Sequence, residues 1–399
     1  MHKIQNRFYI FALLLLVGFS TNSLASTISK VWEVDLSSIY KNPNMSVNFS
    51  PVISRDQLIF GNLKGEIKAL DLKTRQIESI IKIPIAVERS LKLDAPSLKN
   101  YVVFSGKHLT NGKHYYCSID IKAKKIKGVV AHDGGLFSFG EFALFEKNNS
   151  FIIFNPKEGR GVYRQKTIHK IEKSIFTQEL NRYLFQSKNN QIIDVSIPKF
   201  GASIVMSKRN KEQNILNFRS IVTIDPDIIA DNIDSEILYF HKDNGIIGLL
   251  NINQGSIVWE KQYFTKNKSI QGPYINNDIL YYLVADQQDD SGHVGRIIAL
   301  NKANGLSTWV SKDMPFKNFG IFHFDKYIIS ADLEGNLLFL NSDNGKLESK
   351  INIGAGITKP VIVKNTAVIM TDKKVILIQN NRLGFKFKLL LKKIKTYFT

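Results

Sequence analysis

One frame recurs along the chain and narrows what it can fold into. It runs Gly, five residues, Asn or Asp, three residues, Gly, three residues, Trp. It is complete in GIIGLLNINQGSIVW (Gly245 to Trp259) and GRIIALNKANGLSTW (Gly295 to Trp309). GNLLFLNSDNGKLES keeps Gly335, Asn341 and Gly345, and GEIKALDLKTRQIES keeps Gly65 and Asp71. Looser copies keep Asn149, Asn155, Gly159 and Tyr163, or only Asp120, or only Asp194. Each part of the frame has a backbone reason. The first Gly, or Asn149 in its place, supplies the φ > 0 residue of a hairpin. The next five or six residues alternate as a strand with one face buried. The Asn or Asp bonds forward to open a turn, and the second Gly takes its left-handed corner. The aromatic closes the last strand with a large apolar body.

Each copy follows another apolar segment, so a unit holds three or four strands in about 42 residues, without a helical period. A sheet that small cannot bury both faces alone, so the units must stack on one another. Repeats of this length predict a β-propeller. Second strands starting near residues 58, 101, 143, 182, 236, 278, 326 and 367 predict eight four-stranded antiparallel blades. The last unit has no fourth strand of its own. The amino-terminal KVWEVDL, with Trp32 matching Trp259 and Trp309, is expected to supply it, because an unpaired strand there would leave an exposed edge. FKFKL after Gly384 is the competing choice.

The ends differ from the body. Lys3 and Arg7, an uncharged run from Phe8 to Phe19 and Ser23-Leu24-Ala25 have the layout of a signal peptide cleaved after Ala25. A run that short falls well below the roughly 20 residues a membrane span requires. The expected organisation is a signal peptide over 1–25, a propeller over 26–383 and a basic tail over 384–399. Cys117 is the only cysteine, so no intrachain disulfide forms and no lipid-attachment cysteine stands at the cleavage site. In the strand-like HYYCSID it reads as a small core residue. The net charge is +19, of which six charges sit on Arg382, Lys386, Lys388, Lys392, Lys393 and Lys395. The remaining lysines are spread along a chain rich in Ile, Asn and Lys, which reads as composition bias. Export argues further against a nucleic-acid partner.

The GxIxALD…G…W repeat resembles the pyrroloquinoline-quinone-type propeller repeat, and eight such units behind a signal peptide resemble the BamB family. That resemblance covers nearly all of residues 30 to 383 and is strongest in blades 1, 5, 6 and 7. It implies a non-catalytic scaffold in the periplasm at the outer membrane, which helps assemble β-barrels by binding a BamA-like partner through rim loops. Quinoprotein dehydrogenases share the repeat, but hold their quinone over adjacent cysteines beside a carboxylate-bound calcium. One cysteine cannot form that pair, so no cofactor is expected. A ligand-binding propeller enzyme and a secreted adhesion propeller are the alternatives.

No other chemistry stands out. The eight histidines lack metal-ligand spacing, and Asp286, Asp289 and Asp290 lie in a loop without a regular calcium pattern. HDGG (His132 to Gly135) reads as an interblade turn, and no nucleophile elbow or P-loop is present. The resemblance places a partner contact in FRSIVTIDPDIIADN, at Asp225 with Asp227 and Arg219 as neighbours; a plain proline turn is the competing reading. The family's other contact loop, entering blade 4, has no match in KTIHKIEKSIF. In the tail, Phe387, Leu390, Leu391, Ile394 and Phe398 fall on one helical face, with Lys392 and Lys393 mainly elsewhere. Two readings stand for it: an interfacial helix on an anionic membrane surface, or a basic extension that aids solubility.

Overall fold

The computed structural model describes residues 27–381 except 37–50, 55, 93–97, 133–135, 140–141, 148–149, 167–170, 178–181, 197–216, 225–227, 235, 266–267, 287–292, 317–319, 355–359, 364–365 and 372. Its elements are strands throughout, arranged as an eight-bladed β-propeller. The strands of blade 1 are Val52–Ser54, Gln57–Gly61, Glu66–Asp71 and Ile77–Lys82; those of blade 2 are Ile85–Lys92, Tyr101–His108, His114–Asp120 and Lys125–Ala131. Blade 3 has Leu136–Phe139, Phe142–Glu146, Ser150–Asn155 and Arg160–Lys166, and blade 4 has Ile171–Thr177, Arg182–Ser187, Gln191–Ser196 and Asn217–Thr223. Blade 5 has Ile229–Asp234, Ile237–His241, Ile246–Asn251 and Ser256–Gln262. Blade 6 has Lys268–Asn276, Ile279–Asp286, His293–Asn301 and Ser307–Val310, with Met314–Phe316 also paired to its third strand. Blade 7 has Phe322–Phe324, Tyr327–Ala331, Asn336–Asn341 and Leu347–Asn352. The second strands therefore begin within one residue of each expected position.

Blade 8 consists of Val361–Val363, Thr366–Met370, Lys374–Asn381 and the amino-terminal Thr27–Asp35. The last runs antiparallel to Lys374–Asn381, with Thr27 opposite Asn381 and Asp35 opposite Lys374. The amino-terminal strand thus closes the ring, and the FKFKL alternative lies outside the described residues.

The core is distributed among the seams between blades. Val368 and Met370 of blade 8 pack with blades 1 and 2, through Leu58, Phe60 and Phe104. Further clusters join blades 2 and 3, 3 and 4, 4 and 5, 5 and 6, 6 and 7, and 7 and 8. Each fully buried Leu, Ile or Phe contributes roughly 1.5–3 kcal/mol. The stacking corrects one expectation. Asn336–Asn341 is buried on both faces up to its last residue instead of alternating, because a blade lies against each face.

A second correction concerns Gly295. Gly65, Gly245 and Gly335 do have positive φ, at 76°, 94° and 82°. Gly295 sits inside a strand opposite Ala285, because the blade 6 hairpin is longer; Asn149 lies outside the described residues. The turn that follows behaves as expected. Asp71 Oδ1 accepts from the amides of Lys73 and Thr74 at 2.8 and 2.7 Å, and Asn251 Oδ1 accepts from Asn253 and Gln254 at 3.0 Å. Four residues on, Arg75 and Lys124 hold the left-handed corner where other blades use glycine.

Two opposite faces result. On one, the first turn is tied to the last turn by a backbone bond in blades 1, 2, 5, 6 and 7: Leu72 to Asp56, Ile121 to Asn100, Ile252 to Glu236, Lys302 to Asp278 and Ser342 to Lys326, all 2.8–2.9 Å. This is the turn face. The other, the hairpin face, holds the central hairpins and the crossings between blades, as in the bonds Val87 to Asn62 and Ile224 to Asn190.

Candidate functional site: a partner interface at blades 4 and 5

The outer strand of blade 4 carries Arg219 opposite Asp194. The chain then passes Ile224, crosses to blade 5 and resumes at Ile228; both isoleucines are buried in the seam of blades 4 and 5. Asp225 and Asp227, between them, lie outside the described residues, as do the contact-loop segment 167–170 and the tail residues Phe387, Leu390, Leu391, Lys392, Lys393 and Ile394. The Ile224 amide donates to the Asn190 carbonyl at 2.9 Å, which fixes the start of the crossing beside the central hairpin of blade 4. The Asp225 crossing therefore leaves from the hairpin face.

The two blades flanking this crossing share backbone pairing. The inner strands of blades 4 and 5 pair in parallel, Phe176 opposite Asn232 and Thr177 opposite Ile233, and merge the two blades into one eight-stranded sheet. Beside the crossing, Asp231 Oδ2 lies 2.7 Å from His241 Nδ1, both side chains largely buried. At the other end of the inner strand, Lys302 of blade 6 reaches Asp234 at 2.8 Å and stands 5.8 Å over the Tyr239 ring. Burial works to lower the Lys302 pKa, but the bonds to Asp234 and Tyr239 prevail and raise it. The Tyr282 hydroxyl is buried in the same seam and makes no hydrogen bond among the described residues. Burial, with the Asp231 carboxylate beside it, holds this phenol protonated.

The sequence frame hid one contact that organises these blades. Trp259 of blade 5 donates its indole N–H to the Lys302 carbonyl at 2.9 Å, and Trp309 of blade 6 donates to the Ser342 carbonyl at 2.8 Å. Each tryptophan lies on the Asn-to-Gly turn of the following blade. A Cβ on Gly305 would come within 2.6 Å of the Trp259 ring, and one on Gly345 within 2.4 Å of the Trp309 ring. The second glycine of the frame is therefore a docking floor as well as a corner. At the tryptophan position of blade 2 stands Gly128, whose Cβ position lies 1.9 Å from the Gly159 carbonyl oxygen, so there the two backbones meet directly.

The other candidates are placed as follows. Cys117 is buried, and burial pushes its thiol up to about 12, which leaves no thiolate for chemistry near neutrality. His108 and His114 flank the central hairpin of blade 2, as expected. His132 stacks on Tyr116 with ring centres 3.5 Å apart, and its Nε2 lies 3.2 Å from Ser105 Oγ. Asp286 ends the second strand of blade 6, while Asp289 and Asp290 lie outside the described residues. Among the described residues, no group of three or more His, Cys, Asp or Glu is placed to hold a metal.

The strands define an eight-bladed antiparallel β-propeller. Among proteins of known role, the chain is similar to the outer membrane protein assembly factor BamB of Yersinia pestis, with 26% identity over 145 residues. That match covers 36% of this chain and 33% of the relative, so it spans about a third of the relative's length. The crystal structure of BamB from Moraxella catarrhalis superposes with a TM-score of 0.58 at 13% identity, covering 88% of this chain and 100% of that one. The computationally designed Ika8 protein superposes with a TM-score of 0.59 at 13% identity, covering 85% and 98%. At such identities the two superpositions speak for the fold. No family model matches the chain. The protein is BamB-like in architecture and in part of its sequence.

Proposed function

We propose that this chain is a non-catalytic periplasmic scaffold of the outer-membrane β-barrel assembly machinery, and that it binds a BamA-like partner through the hairpin-face loop between blades 4 and 5. The observation that carries the reading is the joint likeness to BamB, in partial sequence and in a ring that covers the whole of the Moraxella protein. The crossing at Asp225 and Asp227 suits such a contact. Its flanks, Ile224 and Ile228, are buried in the seam of blades 4 and 5, which fixes where the acidic segment leaves and rejoins the fold. Arg219, on the outer strand of blade 4 that leads into the crossing, is assigned here as a second polar contact.

The test is an affinity capture of the chain from native envelope, with the double variant Arg219→Ala, Asp225→Ala as comparison. Barrel-assembly proteins should co-purify with the parent chain and fall at least roughly tenfold with the variant, as expected for losing contacts worth about 1–2 kcal/mol. Their absence from a well-extracted envelope sample overturns the reading.

A further inference from the structure

The outer rim of blades 5 and 6 stands apart on a strongly cationic molecule. Asn251 to Trp259 and Ala303 to Ser311, each running from the last turn of its blade into the outer strand, contain no charged residue. The same stretch carries Asp71, Lys73, Arg75 and Glu78 in blade 1, and Asp343, Lys346 and Glu348 in blade 7. In place of charges, blades 5 and 6 present aliphatic side chains to solvent. Ile257 and Val258 are 42% and 50% exposed, and Leu306 and Val310 are 56% and 46% exposed.

Trp259 joins the two edges into one surface. Its indole N–H bonds to the Lys302 carbonyl in the last turn of blade 6, and its ring lies against Gly305, next to Leu306. Tyr263 of blade 5 donates to the Gly305 carbonyl. Val258 immediately precedes Trp259 as the extra residue of the bulge. Val310 pairs with Ile298, part of the core shared by blades 5 and 6, and so faces the blade 5 side. The charges nearby are paired within the fold: Lys302 with Asp234, Lys242 with Glu260 and Arg296 with Asp313. Lys261 and Lys312 stand at the margins of the patch.

We infer that this rim is a self-docking surface, through which two copies of the chain pair about a two-fold axis. Charge selects the occupant. Each molecule carries a formal net charge of +19, so two copies repel over most approaches. In a two-fold contact the same patch meets itself, so any charge within it faces its like. An uncharged aliphatic patch escapes that penalty and is complementary to its own copy. The bulge at Val258 interrupts strand-to-strand pairing, so side chains make the contact. Four aliphatic residues fall short of the roughly 800 Å² per partner of a standard interface, so the pair forms only at high concentration. The patch begins at the last turns, away from the hairpin face that presents the Asp225 crossing, and the inference stands whether or not the partner proposed above is the right one.

The test is sedimentation of the chain from Ser26, which retains the whole described fold, over a concentration series up to about 100 μM. The double variant Val258→Lys, Leu306→Lys sets like charges against each other across the axis, and Val258→Glu, Leu306→Glu does so with the opposite sign. The control Leu63→Lys, Leu109→Lys makes the same change at exposed aliphatic residues of the hairpin face. All are checked for an unchanged circular dichroism spectrum and melting temperature, and Leu306→Lys or Leu306→Glu alone replaces a double variant that melts early. Parent and control should approach the mass of a dimer as concentration rises. Both patch variants should associate at least roughly tenfold more weakly, and an equimolar mixture of the two should associate again. Loss with either sign separates the patch from an effect of net charge. A parent chain that stays monomeric throughout leaves the patch to another protein or a membrane and overturns the inference. Undiminished association of the patch variants, equal loss in the control, or a mixture that stays monomeric overturns it too.

Discussion

Gly305 and Gly345 are held at φ values of 68° and 69°, with a tryptophan ring over each. Two penalties therefore meet at one atom, left-handed strain and a clash with an indole that cannot retreat from its own hydrogen bond. Gly305→Ala should lower stability by about 2–3 kcal/mol in chemical denaturation. Arg75 occupies the same corner in blade 1 at φ 64°. Arg75→Gly should therefore stabilise, by at most about 1 kcal/mol, because relief of strain exceeds the entropy cost of glycine. His323 supplies a pH signature. Its ring stacks on Tyr274, its Nε2 lies 2.9 Å from the Asn276 amide nitrogen, and burial pushes its pKa below the ordinary imidazole value. The unfolded chain then binds more protons than the folded one between the two pKa values. Stability is full above the ordinary imidazole range, about 6.5, and is lost as pH falls toward the folded value. His323→Gln should flatten the curve of melting temperature against pH below that point. The turn residues were legible in sequence because their requirement is local, an Asx bond and a left-handed corner four residues later. The tryptophan contacts were not, because the partner carbonyls of Lys302 and Ser342 lie 43 and 33 residues away in the next blade.

The outer strand of every blade contains a one-residue register shift. In blade 5, Trp259 faces Leu249 but Ile257 faces Leu250, which leaves Val258 as the extra residue. The same shift appears in blades 1, 2, 3, 4, 6, 7 and 8. A bulge adds local twist and interrupts the flat edge that another chain could extend. In blades 5 and 6 it directly precedes the tryptophan and so re-aims it toward the neighbouring turn. Deleting Val258 should uncouple Trp259 from Lys302, with a loss comparable to the roughly 3–5 kcal/mol of a buried tryptophan-to-alanine change, read as a lower denaturation midpoint. The blade count and the closing strand could be read from the repeat because each unit announces its own boundaries. The bulges could not: a frame built on Gly, Asn and Trp spacing already contains the extra residue and gives no sign of which strand holds it. The alternation expected of the third strands failed for a similar reason, since burial on both faces is a property of the stack.

At the scale of the whole molecule, closure is the main source of order. Seven core clusters run round the ring, and the one that joins blades 8, 1 and 2 depends on a blade whose outer strand comes from the amino terminus. Removing residues 26–36 would expose the edge of Lys374–Asn381 and open that seam. Such a truncation should melt at a markedly lower temperature and associate at concentrations where the parent chain stays monomeric, as sedimentation would reveal. Closure also fixes which residues share a face, and this is where the linear sequence was least informative. The contact of each tryptophan with the next blade's turn, for example, exists only because the ring places successive blades side by side.

The most direct measurement is site-specific photo-crosslinking in the native envelope. One probe would replace Lys188 on the hairpin face beside the crossing, and another Lys122 on the turn face. Barrel-assembly proteins should be captured from position 188 and not from position 122. Capture of those proteins from position 122 alone, with none from 188, would contradict a scaffold that presents its hairpin face to the assembly machinery.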